Sequence, residues 1–239
     1  MKRYSTKWLW FWGLAIVIAL LYNDWLLGPI LNPHMSSVRS LISELSALSQ
    51  PYHAVFQTLD ITAGILTLLF VGFVWRFTKS MSKKERLILT GLIAFIGLDS
   101  IIDASLPIRC APSVNFHCSL LAFNSAVTDA HLIESNIAGV GIAIAPLLWW
   151  WLHRKNSPRF AKVSLSFALL QILAGVFALI VRISGKDKYG LIQRIYECGL
   201  GIWIATILGT SATKHPDKSL SDNEHDVGIS EDPLVLTDK

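Results

Sequence analysis

Residues 87–106 read LILTGLIAFIGLDSIIDASL, an apolar run whose only charged members are Asp99 and Asp103. A helix rises about 1.5 Å per residue, so about 20 apolar residues span the hydrocarbon core of a bilayer. Five other apolar runs have a comparable character: Trp8–Tyr22, His53–Trp75, His131–Leu152, Val163–Val181 and Ile195–Ala212. The sequence therefore predicts an all-α, polytopic membrane protein with six transmembrane helices.

The composition agrees with a membrane protein and argues against a soluble one. Of the 239 residues, 52% are hydrophobic and only 16% are charged, and the mean hydropathy is +0.48. Soluble domains carry about 25% charged residues. The first run follows Lys2, Arg3 and Lys7 as a signal peptide would, but no small-x-small cleavage site comes after it. We therefore expect a retained first span.

Lysines and arginines are distributed unevenly between the two sides of the predicted bundle. With six spans, 15 of the 21 basic residues fall on the side of the two termini. Cytoplasmic connections carry the excess of Lys and Arg, so we expect cytoplasmic N- and C-termini and a plasma-membrane location. The net charge of +4 then reflects topology, and we expect the lipid bilayer as a partner but no nucleic acid.

The last 26 residues differ in composition from the rest of the chain. Residues 214–239 contain seven acidic residues and no aromatic residue, so they cannot bury enough apolar surface to fold alone. We expect two parts, a six-helix transmembrane domain over residues 1–213 and a disordered acidic cytoplasmic tail over residues 214–239. Either the tail binds a partner or it is a solvated extension.

The first outer connection is long, from Asn23 to Tyr52. Within it, apolar residues recur at helical spacing between Val38 and Leu48, and serines and charged residues fill most of the other positions. This pattern predicts an amphipathic helix that lies on the membrane interface and ends at Gln50-Pro51. The alternative is a lid that packs over the bundle.

The second outer connection contains Cys110 and Cys118. An extracytoplasmic loop is an oxidising location in which disulfides persist. We therefore expect a Cys110–Cys118 disulfide, and the alternative is a pair of inert thiols.

Ionisable residues inside or beside the apolar runs mark the candidate site, because a charge at mid-helix costs about 2.5–3.5 kcal/mol on insertion scales. Asp60 and Asp99 lie at similar depths below the outer ends of their spans, so the two are expected to meet. Nearer the outer surface we place the remaining candidates: Asp103, His131, Glu134, Arg182, Arg194 and Glu197. These residues predict one outward-facing polar cavity.

Several chemistries fit this set of residues. Neighbouring acids suit proton coupling or cation binding, because like charges disfavour joint ionisation. Arg182 and Arg194 suit a phosphate or carboxylate head group. A metal-dependent hydrolase would need about three ligands and a water, but the chain has no His-x-x-x-His or His-Glu-x-x-His spacing. We therefore expect no metal and no other cofactor.

Short motifs in the same regions resemble a known family. They are Ile42-Ser43-Glu44-Leu45-Ser46-Ala47, Asp103-Ala104-Ser105-Leu106-Pro107 followed by Cys110, His131 at the start of the fourth span, and Gly190-Leu191-Ile192-Gln193-Arg194. Together they are similar to a prokaryotic membrane family known as domain of unknown function number 998. This resemblance covers roughly residues 8–212 and implies a six-helix membrane protein. It implies no activity.

Three functions stay open at this point. The favoured one is binding or transport of a small polar molecule, an ion or a lipid head group in the outward-facing cavity. The first alternative is a non-catalytic envelope or sensory partner that signals through the tail. The second is an intramembrane lipid hydrolase, so enzymatic activity is uncertain.

Overall fold

The computed structural model describes residues 6–77, 82–115, 118, 126–155, 158–183 and 188–213. Within these ranges the chain forms seven α-helices and no β-strand, which confirms the all-α fold. The helices are α1 (Thr6–Leu21), α2 (Gly28–Leu31), α3 (His53–Phe77), α4 (Lys83–Ser105), α5 (Ala126–His153), α6 (Pro158–Ile183) and α7 (Tyr189–Thr213), and a 3₁₀ turn (Asp24–Leu27) precedes α2. The predicted tail, residues 214–239, lies outside the described ranges, so the division into two parts stays a prediction.

The six long helices form a closed ring in which each packs on the helix before it, and α1 closes the ring against both α3 and α7. Neighbours run antiparallel: Gly64 of α3 faces Gly97 of α4, and one turn away the Ser100 hydroxyl donates to the Asp60 carbonyl at 2.8 Å. As a result, residues 22–52 and residues 106–115, which follow α4, lie at the same end of the ring. We call this the lid end.

The outside of the ring is apolar, as a lipid-facing surface requires. On α5 the side chains of Ile133, Ile137, Val140 and Ile144 are all more than half exposed. Their spacing places them on one helical face, whereas Glu134 of the same helix lies at the wall of an internal cavity. Apolar residues outside and acidic residues inside are the reverse of the arrangement in a soluble bundle.

Four helical segments are long and apolar enough to cross a membrane: His53–Arg76, Lys83–Ser105, Ile133–His153 and Ala161–Ala178. A fifth is obtained if Trp12–Leu21 and Asp24–Leu31, which are bent by 57°, count as one broken span. Among the described residues α7 does not meet this criterion, and its first three turns carry Arg194 and Glu197. The protein is thus a multi-pass membrane protein by these measures, while the six-span count and the cytoplasmic termini stay predictions.

The connection over residues 32–52, which we call the lid segment, corrects one prediction. The prediction of an amphipathic helix between Val38 and Leu48 is wrong, because these residues form a succession of turns that packs over the ring. Backbone N–H groups of the lid segment form hydrogen bonds with distant parts of the chain. The Ile42 N–H donates to Gln193 at 2.8 Å, and the Leu48 N–H donates to the Ile108 carbonyl at 3.0 Å. Serines at several positions also favour turns, since their hydroxyls bond to nearby backbone groups.

Burial explains why the lid segment packs inward. Leu45 and Ala47 are buried with Met35, with Phe56 of α3 and with Ile108 from the connection after α4. These residues form a small core separate from that of the ring, and burying them stabilises the lid more than exposing them at an interface would. The alternative of a lid over the bundle therefore matches the structure.

We predict that Gly64→Ala lowers the free energy of unfolding by about 2 kcal/mol. A Cβ at Gly64 would lie 2.5 Å from the Gly97 carbonyl oxygen and 2.6 Å from the Ile101 side chain, so α3 and α4 would have to move apart. Gly72 on the same helix is the matched control, because a Cβ there meets nothing within 4 Å. Thermal unfolding in detergent should show a loss for Gly64→Ala and none for Gly72→Ala. Equal stability of the two variants would contradict the close helix approach.

Candidate functional site: an acidic cavity beneath the lid segment

A cavity of about 270 Å³ lies at the lid end of the ring. Six acidic residues from five parts of the chain line it: Asp24, Asp60, Asp99, Asp103, Glu134 and Glu197. Ile42, Ser43 and Ser46 of the lid segment contribute to its wall, and no Lys, Arg or His is among the described residues that line it. A cavity of this kind is negatively charged unless it holds protons or a cation.

Tyr22, at the end of α1, closes the cavity toward the ring core. Its hydroxyl donates to the Ile96 carbonyl at 3.3 Å and accepts from Thr67 at 3.4 Å. Below this point the ring is filled by a buried apolar cluster that includes Phe70 and Trp203. The polar space is therefore confined to the lid end and does not continue through the bundle among the described residues.

Helix α7 brings a tyrosine and an acidic side chain to the opposite wall of the cavity. On α7, Tyr196 donates its hydroxyl hydrogen to the Gly139 carbonyl of α5 at 2.7 Å, which ties α7 to α5 across the cavity. Glu197, the next residue, lines the cavity with Tyr196.

Asp24 is the cavity residue that the sequence patterns missed. It follows the first apolar run, so a search for acids within the spans passes over it. In the structure it is 6% exposed, and its Oδ2 has no hydrogen-bond partner among the described residues. The 57° bend between Trp12–Leu21 and Asp24–Leu31 places it beside the ring opening, because the chain turns there toward α2.

Asp103, His131 and Glu134 form a compact group on the α4–α5 side. His131 and Glu134 are three residues apart on α5, so they share a helix face, and Asp103 reaches them from α4. The His131 Nδ1 lies 3.2 Å from the Asp103 Oδ1. Ligand atoms of all three residues lie within 4.8 Å of one another.

Arg194 holds the lid segment and does not line the cavity. It is 5% exposed, and its Nη1 donates to the Ser40 carbonyl at 2.7 Å and to the Gly190 carbonyl at 3.0 Å. Its guanidinium carbon is 5.7 Å from the centre of the Trp25 ring. Arg194 therefore lies beside the cavity, under the lid segment, and its part in ligand binding stays a prediction. Gly190 is required here, because a Cβ at that position would collide with the Ser40 carbonyl.

Glu44 of the lid segment is buried beside this arginine. It accepts hydrogen bonds from the Ser113 hydroxyl and, at 3.2 Å, from the Ser113 N–H. Burial raises the pKa of the Glu44 carboxyl above its ordinary value, although the Ser113 hydrogen bonds and the charge of Arg194 oppose the rise. The Ser113 and Ser40 hydroxyl oxygens are hydrogen-bonded to each other at 2.7 Å, so three parts of the lid end meet at one point.

Ser113 belongs to a loop that is closed covalently. A disulfide joins Cys110 to Cys118, and Ser113 lies between them. The loop is also attached to the lid segment by the Ala111 N–H, which donates to Ser49 at 3.3 Å. The disulfide therefore constrains the loop that carries Ser113, the hydrogen-bond partner of Glu44.

The remaining predicted site residue is Arg182. It lies in the last turn of α6 at the lid end, but its side chain is outside the described part of the structure. Of the other seven predicted residues, the structure brings Asp60, Asp99, Asp103, Glu134 and Glu197 to the cavity wall, with His131 in contact with Asp103 and Arg194 under the lid segment.

Comparison with known families identifies the class of this membrane protein. Residues 14–209 match the family model described as a protein of unknown function, DUF998. The chain therefore belongs to the domain of unknown function 998 family, as the motif resemblance predicts. No curated protein and no solved structure matches this chain.

Proposed function

We propose that this protein is a six-span membrane protein that binds a small cation in the acidic cavity at its lid end. In this proposal α1 with its bent continuation and α7 complete the spans, and the termini are cytoplasmic in the plasma membrane. The lid end then faces outward. The observation that carries the proposal is the lining of the cavity by six carboxyl groups with no basic side chain among the described lining residues.

Charge decides between the candidate ligands. Six carboxylates around about 270 Å³ repel an anionic head group and attract a positive one. Of the two arginines that would favour a phosphate or carboxylate, Arg194 is engaged with backbone carbonyls, and the side chain of Arg182 lies outside the described part of the structure. A metal ion or an organic ammonium group therefore fits the cavity better than an anionic head group.

The two alternatives have unequal support. A lipid hydrolase is favoured by one observation, the Asp103–His131–Glu134 group. The envelope or sensory role depends on residues 214–239, which lie outside the described ranges.

A diamine and its neutral counterpart test cation binding on the purified full-length chain in detergent. We expect 1,4-diaminobutane at 100 times its Kd to stabilise the protein by about 2.7 kcal/mol. Butane-1,4-diol has the same carbon chain without charge and should give no stabilisation. Thermal unfolding with each compound at constant ionic strength is the measurement.

Variants of the cavity acids test whether the diamine stabilises the protein by binding in the cavity. Asp60→Asn combined with Asp99→Asn should abolish stabilisation by the diamine. Glu85→Gln is the matched control, since it removes an acid near the other end of α4 and glutamine can preserve the capping box that Glu85 forms with Ser82. The proposal fails if the diol stabilises as well as the diamine, or if the double variant responds as the wild type does.

A further inference from the structure

The Asp103–His131–Glu134 group differs in chemistry from the rest of the cavity wall, because it combines an imidazole nitrogen with two carboxylates. Asp103 comes from the end of α4, and His131 and Glu134 come from the N-terminal third of α5. These two helices pack directly on each other in the ring. Helix packing therefore fixes the separation of the three side chains.

Buried atoms without hydrogen bonds give an independent indication of a ligand at this group. His131 is 5% exposed, and its Nδ1 makes no aligned hydrogen bond even though the Asp103 carboxylate is 3.2 Å away. The Oε1 of Glu134 is also buried without a hydrogen-bond partner among the described residues. Buried polar atoms are normally satisfied, and a cation shared with the Asp103 carboxylate would satisfy both of these.

We propose that Asp103, His131 and Glu134 bind one divalent transition-metal ion, of the Zn²⁺ or Mn²⁺ type. The inference rests on the proposed function and specifies the cation for that cavity. One nitrogen and two carboxylate ligands suit such ions, whereas Ca²⁺ requires about six to eight oxygen ligands. The ligand atoms lie within 4.8 Å of one another. Two ligands at about 2.2 Å from one ion are at most about 4.4 Å apart, so small side-chain rotations toward a shared ion complete the site.

At this position, the coordination sites of the ion that the protein does not fill would face the cavity. Three protein ligands do not complete a tetrahedral or octahedral shell, so water or a ligand occupies the remaining positions. Asp103 and Glu134 line the same cavity as Asp60 and Asp99. The remaining positions of the ion are thus within a space that carries further carboxylates, which attract the positive end of a second ligand.

The sequence patterns did not predict this group because its ligands come from two helices. His131 and Glu134 alone form a three-residue spacing that is common on helices. Asp103 is 28 positions earlier in the chain. Only the antiparallel packing of α4 against α5 brings the three together.

Metal content and affinity test the inference on the full-length protein in detergent. After removal of metal by a chelator, we expect one equivalent of Zn²⁺ to be retained through desalting. Asp103→Asn, His131→Gln and Glu134→Gln should each weaken Zn²⁺ binding by about 100-fold or more. The matched control is His53→Gln, which removes a histidine at the start of α3 that is not part of the group.

A second readout separates loss of a ligand from loss of the fold. The visible spectrum of Co²⁺-loaded protein should lose its d–d band intensity in His131→Gln and keep it in His53→Gln, with both variants monodisperse. Undiminished Zn²⁺ affinity in the three ligand variants overturns the inference, as does wild-type protein that retains no Zn²⁺. If wild-type protein retains no Zn²⁺ but still binds 1,4-diaminobutane, the metal site is refuted and the cation-binding function stands. If it binds neither Zn²⁺ nor the diamine, the metal site and the cation-binding function are both refuted.

Discussion

Arg194→Met will lower the free energy of unfolding by about 3 kcal/mol and release the lid segment. The substitution keeps the apolar stem but removes the donors to the Ser40 and Gly190 carbonyls. It also leaves buried Glu44 without the nearby positive charge that favours its ionised form. Loss of one partner from a buried charged arrangement costs about 3–5 kcal/mol, and the present case lies at the lower end because the acceptors are carbonyls.

Hydrogen exchange over residues 32–52 measures release of the lid segment separately from global unfolding. The backbone amides of this range should exchange faster in Arg194→Met, since the Ile42 and Leu48 N–H bonds depend on the segment staying docked. Arg39→Met is the matched control, because Arg39 belongs to the same segment and is exposed. Unchanged protection in Arg194→Met would mean that the lid is held by its apolar core alone.

Asp24→Asn is expected to act in the opposite direction and to raise the free energy of unfolding at pH 7 by about 1–2 kcal/mol. Asp24 is buried with an unpaired carboxylate oxygen in a cavity that already holds five other carboxyl groups. An amide of the same shape carries no charge, so it removes both the repulsion and the cost of burying the ion. A gain in stability from changing a buried residue is unusual, since most such changes destabilise.

Thermal unfolding of the ligand-free protein at pH 7 is the measurement, with Glu85→Gln as the control for loss of one negative charge. Glu85 lies outside the cavity, so its change should leave the transition temperature of the protein within about 1 °C. A lower transition temperature for Asp24→Asn would show that its carboxylate is stabilised in the ligand-free protein by a partner.

Much of the cavity could be predicted because helical periodicity and depth are properties of the sequence. Asp60 and Asp99 lie about equally far from the same ends of neighbouring spans, so antiparallel packing places them at one height. Glu134 and Glu197 begin their spans from the same side. All four line the cavity in the structure.

What the sequence could not reveal depends on contacts between distant residues. The lid segment has the apolar periodicity of a helix, but bonds to Gln193 and Ile108 hold it in turns. Arg194 looks like an anion ligand in isolation, yet its acceptor is a carbonyl 154 positions away. A periodic pattern carries no information about such partners.

The closed ring has a consequence for the order in which the protein is assembled. Each contact between successive long helices can form as the later helix is synthesised, whereas the contact of α1 with α7 joins the first helix to the last. Long-range closures of this kind form late, since chain entropy opposes them until both partners exist. Asp24 and Glu197, which follow α1 and begin α7, are therefore brought together only in the final step. Until then Asp24 and Glu197 do not add to the repulsion among the carboxyl groups of α3, α4 and α5.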